Sequence, residues 1–259
     1  MLYALLTPAK RLDFKPLPAS RHIKATQPAL LKETAVLAEK AKGLSAPQLQ
    51  RLMGISSALA KLNFDRFQHF DPANRDGTKP AIFTFAGDVY MGLNAATLSD
   101  DDVAFAQEHI GILSGLYGVL RPLDAIQPYR LEMGIVLKTD KAADLHGFWR
   151  KSVTDRINAV VSKLKSPTIV NLASEEYWGA VDETRLKAPL IQAVFKEIRG
   201  GKLQFVSFFA KKARGMMARA IVDHRWERPE DLKAFDTAGY RFDAKASDER
   251  TWVFTRKSK

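Results

Sequence analysis

The sequence predicts one compact domain of the α/β class, with helices around a mixed sheet in a mixed α+β arrangement. Short apolar runs typical of buried strands occur along the chain, and longer segments with helical spacing lie between them. The two kinds of segment do not alternate in a strict βαβ order. No linker-like, repeated or low-complexity stretch interrupts the 259 residues, a length at which one chain can bury a substantial core. We therefore expect a single domain over 1–259, with the helical region 30–70 as a projecting subdomain.

The predicted strands are segments in which apolar and β-branched residues form short runs or alternate with polar residues. A strand and a turn should begin at Leu113 and lead into a second strand. Gly200 and Gly201 predict the turn of a hairpin, and the segment 87–93 is assigned to a turn that leaves the strand before it. The other strand assignments are 2–7, 81–87, 129–137, 168–173, the hairpin 190–210, and the pair 239–244 and 251–256.

The predicted helices have apolar residues at helical spacing and suitable capping residues at their ends. Gly43 is a suitable C-cap, and Ser56 or Ser57 is a suitable N-cap. Ser99 is followed by three aspartates, which stabilise the positive end of a helix dipole. The helices are expected at 29–44, on both sides of Gly54 within 45–63, from 100 onward, at 143–164, after Ser174, at 211–226 and after Pro229.

The positive charge of the chain is concentrated in two segments. The formal net charge is +11. Residues 1–24 hold five Lys or Arg and one Asp, while residues 196–228 hold nine Lys or Arg and three acidic residues. These segments therefore carry nearly all of the net charge. If folding brings them together, they form a positive surface that attracts phosphates; otherwise the chain simply has a basic, soluble surface.

Several classes of protein are excluded by what the sequence lacks. The absence of cysteine excludes disulfides, iron–sulfur clusters and thiolate zinc sites, and it fits a cytoplasmic location. The five histidines are scattered, with no His-Glu-x-x-His or Glu-x-x-His pattern, so no metal site is predicted. No Walker A or G-x-G-x-x-G motif is present, and no cofactor is expected. No membrane span or signal peptide is predicted either.

The segment 45–63 resembles a helix-hairpin-helix element. Gly54 separates two helical runs, and Ser56 replaces the second glycine that such a hairpin usually has. Exposed N–H groups at the start of the second helix, together with its dipole, can bind a backbone phosphate without reading sequence. The same residues are equally compatible with a simple αα-hairpin that is buried through its leucines.

The basic helix near the C-terminus is predicted to be amphipathic. Gly215 in its interior costs roughly 1 kcal/mol of helix propensity, which indicates that another group approaches closely there. Such a helix can follow a nucleic-acid backbone, lie on a membrane or remain solvated. Its exposed side is predicted to hold Lys211, Arg214 and Ala218, with Lys212 and Arg219 nearby, and its buried side Met216, Met217, Ala220 and Ile221.

Five motifs extend over essentially the full length of the chain: TPAKRLD (7–13), FAGDVYMGL (85–93), LSGLYGVLRPLDAIQPYRLEMG (113–134), VNLASEEY (170–177) and SFFAKKARGMMAR (207–219). In this order and at this spacing they resemble the YaaA family of bacterial peroxide-stress proteins. Thr7 stands where the family commonly has Ser, and it keeps the hydroxyl.

This resemblance implies a cytoplasmic protein that limits damage from hydrogen peroxide by keeping intracellular iron low and by protecting DNA. It also implies a distinctive mixed α/β fold with a helix-hairpin-helix element and a positively charged cleft. Duplex or branched DNA is the implied partner. The resemblance brings no settled reaction with it.

The motif 113–134 combines aliphatic bulk with charge. Its leucines and valine should bury the segment, while Gly115 and Gly118 permit close backbone approach. Its arginines can bind phosphate in bidentate fashion, held by the neighbouring carboxylates, or can form buried ion pairs that only stabilise the fold. The polar side chains expected to face a common cleft are Tyr117, Arg121, Asp124, Tyr129, Arg130 and Glu132.

The first functional hypothesis is a non-enzymatic DNA-binding protein of the stress response. Lys10 and Arg11 follow the first strand, where backbone N–H groups and two cations can face an anion, although a solvated loop is the alternative. Binding should follow DNA structure, because the candidate groups read backbone. The candidate DNA-binding residues are Lys10, Arg11, Gly54, Ser56, Arg121, Arg130, Lys211, Lys212 and Arg214.

The second hypothesis is an enzyme that acts on nucleic acid or another phosphorylated substrate in the same cleft. A lysine whose pKa is lowered by neighbouring cations can act as nucleophile or base. The carboxylates can equally hold the arginines in place, so the non-enzymatic hypothesis ranks first. The candidate catalytic residues are Lys10, Asp88, Tyr117 and Glu132. Direct iron binding finds no support among the available ligands, and any effect on iron is expected to be indirect.

Overall fold

The computed structural model describes residues 1–257, and a β-sheet forms its centre. The strands in chain order are β1 (Leu2–Leu6), β2 (Lys79–Pro80), β3 (Ile110–Ser114), β4 (Gly118–Leu120), β5 (Ala125–Ile126), β6 (Thr168–Leu172), β7 (Leu190–Arg199), β8 (Lys202–Gln204), β9 (Arg241–Phe242) and β10 (Thr251–Lys257). Strands β2 and β5 pair separately, and the other strands form one eight-stranded sheet.

The eight-stranded sheet is mixed, with a parallel centre and antiparallel edges. Its order is β4-β3-β1-β6-β7-β10-β9, with β8 paired to β7. The five strands from β3 to β10 in this order are parallel to one another, whereas β4, β8 and β9 pair in antiparallel fashion. Every residue of β1, β3 and β6 is buried, as expected for parallel strands covered on both faces. The predicted α/β class with a mixed sheet is confirmed.

Helices surround this sheet, and most of them lie where the capping residues predict. They are α1 (Leu31–Lys42), α2 (Ala46–Met53), α3 (Ser57–Gln68), α4 (Ala81–Thr84), α5 (Asp88–Leu93), α6 (Asp100–His109), α7 (Leu145–Val161), α8 (Glu175–Trp178) and α9 (Ser207–Asp223), with 3-10 turns at Ala95–Thr97, Glu183–Arg185, Pro229–Ala234 and Thr237–Gly239. Gly43 follows α1, and Ser56 and Ser99 accept hydrogen bonds from the first turns of α3 and α6. No helix within residues 1–257 is long and apolar enough to cross a membrane.

Two strand predictions and one turn prediction were wrong. Within the run 81–87, residues 81–84 form the short helix α4, in which Thr84 donates its hydroxyl to the Pro80 carbonyl. The predicted turn 87–93 contains helix α5. Short apolar runs do not distinguish a buried helix from a buried strand. The segment 129–137 has no strand; it is an irregular buried segment whose backbone passes directly over Gly115.

One contiguous hydrophobic core joins the sheet to the helices. Helices α1 to α3 contribute Leu37, Leu49 and Phe67 to this core, and a separate subdomain at 30–70 stays a prediction. Trp149 on α7 is fully buried and donates its indole N–H to the Gly115 carbonyl at 2.8 Å. A Cβ added at Gly115 would lie 2.2 Å from the Leu131 carbonyl oxygen, so the close approach predicted from this glycine is confirmed.

Helix α9 packs on α5 with direct backbone contact through two glycines. A Cβ added at Gly215 would lie 1.7 Å from the Val89 carbonyl oxygen, and one added at Gly92 would lie 2.2 Å from the Lys212 carbonyl oxygen. The other neighbours of α9 include α6 and the strands β1, β6 and β7. Ala218 is therefore fully buried, and its assignment to an exposed side was wrong because α9 is covered on more than one face.

We predict that Gly215→Ala destabilises the protein strongly, because its new methyl group collides with the backbone of α5. The free energy of unfolding should fall by about 3 kcal/mol or more, at the upper end of overpacking costs. Gly43→Ala is the matched control, since its Cβ would lie 3.6 Å from the nearest atom at a φ of −73°. Urea denaturation checks both variants, and equal midpoints would contradict the packing described for Gly215.

A second prediction concerns Asp102 at the start of α6. Hydrogen bonds from Ser99, followed by the Arg225 guanidinium, lower the pKa of Asp102 to about 2. This lowered pKa stabilises the fold above the unfolded-state value of about 3.9, and the contribution disappears as the pH falls through the folded-state pKa. The stability of the wild type should therefore fall more steeply between those pH values than that of Asp102→Asn. The exposed neighbour Asp101→Asn should follow the wild type in urea denaturation across this range.

Candidate functional site

A cavity of about 800 Å³ lies beyond the carboxyl ends of β1 and β6. The chain leaves β1 for β3 on one side and later returns to β6 on the other side. In open parallel sheets, ligands bind outside the carboxyl ends of the strands at such a reversal of strand order. The lining residues come from the loops after β1 and β6, from α5, from β7 and from the start of α9.

The loop after β1 and the loop after β6 are joined by the hydroxyl of Thr7. The backbone N–H of Ser174, after β6, donates to Thr7 Oγ1, after β1, at 2.7 Å. The two hydroxyl oxygens lie 3.4 Å apart, and Tyr90 on α5 donates its hydroxyl to the Thr7 carbonyl at 3.3 Å. The Thr7 hydroxyl therefore joins the carboxyl ends of both strands at the base of the cavity.

Strand β7 forms a wall of the cavity because it is longer than its neighbours. Asn171 near the end of β6 is level with Gln192, whereas β7 continues to Arg199. Its residues alternate, so Gln192 and Val194 face the cavity while the residues between them are buried on the other side. The chain then turns back through β8 and brings Phe205 and the start of α9 to the same cavity.

Helix α9 supplies two cations that form no ion pair with any described residue. Lys211 and Arg214 line the cavity, and among residues 1–257 neither forms an ion pair. The buried Nε of Arg214 also has no hydrogen-bond partner there. Burial lowers the pKa of Arg214, an effect that Glu175 partly opposes. The residue before α9, Val206, gives no side-chain cap, so the N–H groups of the first turn remain available to an anion.

Lys10 also lines the cavity, and it is connected to Arg130 through Glu132. The Lys10 ammonium lies 3.3 Å from Glu132 Oε1, and the same oxygen accepts hydrogen bonds from Arg130 Nε at 3.0 Å and Nη2 at 2.8 Å. Glu132 is buried, whereas the side chain of Lys10 is 66% exposed. Glu132 therefore holds Arg130 in place and directs Lys10 toward solvent at the cavity.

The cavity also has an acidic part. Asp88, at the first position of α5, and Glu175 and Glu176, at the start of α8, line it together with the cations. Glu176 accepts a hydrogen bond from the Gly134 N–H at 3.2 Å. Arg11 lines the cavity as well and donates to the Ala86 carbonyl at 3.3 Å. The site therefore combines anion-binding groups with hydrogen-bond acceptors.

Several predicted site residues do not line this cavity. Tyr117 is buried, its hydroxyl accepts the Gln127 N–H at 3.0 Å, and burial raises its pKa. Tyr129 is likewise buried, shares a 2.6 Å hydrogen bond with Ser114, and has a pKa raised by burial. Both rings belong to the hydrophobic core and not to the lining of this cavity. Tyr129 lines a small neighbouring pocket with Lys10, Arg130 and Glu132.

The Arg121–Asp124 pair is structural as well. Arg121 Nη2 lies 3.1 Å from Asp124 Oδ1, which also accepts the Thr26 hydroxyl at 2.6 Å. Asp124 is 1% exposed, and this network ties the segment near Thr26 to the loop after β4. Neither residue of the pair lines the cavity, and Lys212 does not line it either.

The hairpin between α2 and α3 also lies outside the lining of the cavity. Gly54 ends α2 with a φ of +60°, a conformation that favours glycine, and Ser56 Oγ accepts the Leu59 N–H at 3.4 Å. Residues 56–59 are exposed, so the first turn of α3 is open to solvent. The hairpin has the backbone geometry that its sequence predicts, at a different place from the cavity.

Sequence reasoning missed the apolar part of the cavity. Met91, Val194 and Phe205 line it, and the side chains of Met91 and Phe205 are each 58% exposed. An aromatic residue just before an amphipathic helix is a weak signal in a sequence, because such residues usually pack into the core.

A second cavity of about 350 Å³ adjoins the first through Arg11, Gly87 and Met91, and it is lined in part by Lys79, whose pKa is lowered by burial. Within residues 1–257, no group of three or more His, Asp or Glu side chains is placed to hold a metal ion.

The fold and the site define an α/β protein with a cation-lined cavity at the carboxyl edge of its parallel strands. A family model described as peroxide stress protein YaaA matches residues 1–246. A UPF0246 protein of Phenylobacterium zucineum (strain HLK1) is 49% identical over 252 residues, covering 97% of this chain and 94% of its own. A UPF0246 protein of Caulobacter vibrioides (strain NA1000 / CB15N) is 50% identical over 252 residues, covering 97% and 98%. The chain belongs to the family of peroxide stress protein YaaA.

We predict that Glu132 matters more to stability than Lys10 does. Glu132→Gln weakens the charged hydrogen bonds to Arg130 inside the protein and should lower the free energy of unfolding by about 1.5–3 kcal/mol. Lys10→Met breaks a pair whose lysine is mostly in solvent and should cost less than about 1 kcal/mol. Urea denaturation of both variants checks this difference, and a larger loss for Lys10→Met would refute the assignment of Glu132.

Proposed function

We propose that this protein binds DNA through phosphate contacts around the cavity and thereby helps limit oxidative DNA damage in the peroxide-stress response. One observation carries the proposal. Cations from two separate motifs, Lys10 and Arg11 in one and Lys211 and Arg214 in the other, line one cavity, and Lys211 and Arg214 form no ion pair within the described chain. Arg130 of a third motif lies beside Lys10, held by Glu132. Unpaired cations at one site attract a polyanion because each phosphate they neutralise releases counterions.

Duplex DNA is an extended rod with one charge per roughly 1.7 Å of its axis, so it can only lie across the mouth of the cavity. Lys10 and Lys211 are exposed and suit contacts to successive phosphates. Arg11 is exposed as well and lines the cavity, so it adds to the positive potential beside Lys10, while Arg130 is held next to Lys10 by Glu132. All of these groups recognise backbone, so we propose binding that depends on DNA structure, duplex or branched, and hardly on sequence.

The hairpin at Gly54 supplies a second contact in this proposal. Exposed N–H groups in the first turn of α3 lie at the positive end of a twelve-residue helix, which is a suitable position for a phosphate. Because the hairpin lies apart from the cavity, the two contacts would engage different parts of one DNA molecule.

We also propose that the protein is located in the cytoplasm. The family resemblance implies an effect on intracellular iron, and we propose that this effect is indirect.

An enzymatic function ranks second. Lys10, Asp88 and Glu132 lie at or beside the cavity, which supports the alternative of an enzyme on nucleic acid or a phosphorylated substrate. Two features favour binding instead. The buried hydroxyl of Tyr117 is engaged with the Gln127 backbone, and the ammonium of Lys10 is paired with Glu132 at the surface. Lys10→Met should abolish turnover but leave DNA affinity nearly intact if the enzymatic alternative is correct.

The DNA-binding proposal predicts steep salt dependence. Neutralising about five phosphates gives a slope near −4.5 for the logarithm of the association constant against the logarithm of salt concentration. Lys211→Glu should weaken binding to every duplex sequence alike and reduce the magnitude of the slope by about 1. Fluorescence anisotropy with a labelled duplex at several salt concentrations measures both quantities.

Lys151→Glu is the matched control for this experiment. Its side chain is 81% exposed on α7, it pairs with Asp155, and it does not line the cavity. The variant has the same net charge as Lys211→Glu, so a general effect of charge would weaken both equally. Equal loss of affinity in the two variants, or a flat salt response of the wild type, would reject the proposed DNA site.

A further inference from the structure

The size of the cavity is suited to a small ligand. Its volume of about 800 Å³ falls within the roughly 300–1,000 Å³ of pockets that enclose most of a small molecule. A duplex resting on the rim would leave this interior unfilled. The interior walls therefore require an explanation of their own, and that explanation does not depend on DNA binding.

The polar groups that line the interior are of both charges. Arg214, Lys211 and the uncapped first turn of α9 supply a cationic part. Asp88 and Glu175 supply an acidic part, and neither carboxylate has an ion pair within residues 1–257. A pure polyanion gains nothing from the acidic part, because like charges repel at short range. A ligand with one anionic end and several hydrogen-bond donors matches both parts.

Two of the apolar side chains that line the cavity are well exposed. Phe205 and Met91 are both large apolar side chains left more than half exposed, although burial of such side chains is strongly favourable. An exposed aromatic ring next to cations is typical of sites that stack a nucleic-acid base, because every base presents a flat face to the ring. The thioether side chain of Met91, which lines the same cavity, can adapt its shape to the ligand.

We propose that the cavity binds a nucleoside monophosphate or a closely similar phosphorylated nucleoside. The phosphate binds to Arg214, Lys211 and the first N–H groups of α9. The base lies against Phe205 and Met91, and the hydroxyl and amino groups of the nucleoside donate to the carboxylates of Asp88 and Glu175. This ligand uses the cationic, acidic and apolar parts of the cavity together.

The proposal is tested by isothermal titration calorimetry of the full chain in phosphate-free buffer at low salt. The probes are adenosine 5′-monophosphate, adenosine and inorganic phosphate. The nucleotide should bind at least about tenfold more tightly than either fragment, since each fragment loses one set of contacts. Arg214→Met should weaken nucleotide binding at least about tenfold; its folding is verified by circular dichroism.

Phe205→Ser tests the site without disturbing the core, because this side chain is exposed. Phe208→Ser is its matched control, since Phe208 is 53% exposed three residues along the chain and does not line the cavity. Nucleotide affinity should fall in Phe205→Ser and match the wild type in Phe208→Ser. No saturable nucleotide binding up to about 5 mM, equal affinity for inorganic phosphate, or equal effects of the two serine variants would overturn the proposal.

Discussion

The backbone contact between α5 and α9 is the constraint on which the site depends. At Gly92 and Gly215 the two helices approach so closely that neither position has room for a methyl group. This contact fixes α9 against the sheet and sets the direction in which its first two turns point. Lys211 is the fifth and Arg214 the eighth residue of α9, and both line the cavity, so their position there follows from packing. Electrostatic attraction cannot have gathered these cations, because they repel one another; apolar burial and close packing bring them together and offset that repulsion.

The parallel centre of the sheet provides the other half of the site. Because β1 and β6 are adjacent and parallel, their carboxyl ends meet at one edge, and the Thr7 hydroxyl joins the two loops there. Glu132 then holds Arg130 and directs Lys10 outward. The charged residues of the long motif thus have two different duties. Arg130 and Glu132 support the cavity, whereas Arg121 and Asp124 hold a distant loop in place.

Much of the fold could be predicted from the sequence where local rules are strong. Ser56, Ser99 and Gly43 mark helix ends because capping depends on neighbouring residues alone, and Gly215 indicated a close contact because glycine is costly inside a helix. The run 81–87 could not be assigned correctly, since a short apolar segment suits either a strand or a helix until its neighbours are known. The cations at Lys10, Lys211 and Arg214 were found from motifs and charge. The burial of Tyr117 and the exposure of Phe205 depend on tertiary packing, which no local pattern encodes.

The central claim is that folding gathers cations from distant motifs into one place where they contact DNA together. Lysine acetylation footprinting by mass spectrometry, with and without duplex DNA, tests this claim most directly. Lys10 and Lys211 should become protected together, over the same range of DNA concentration, while the reactivity of Lys151 stays unchanged. Protection of one of these two lysines without the other, or of neither when DNA is bound, would contradict the account.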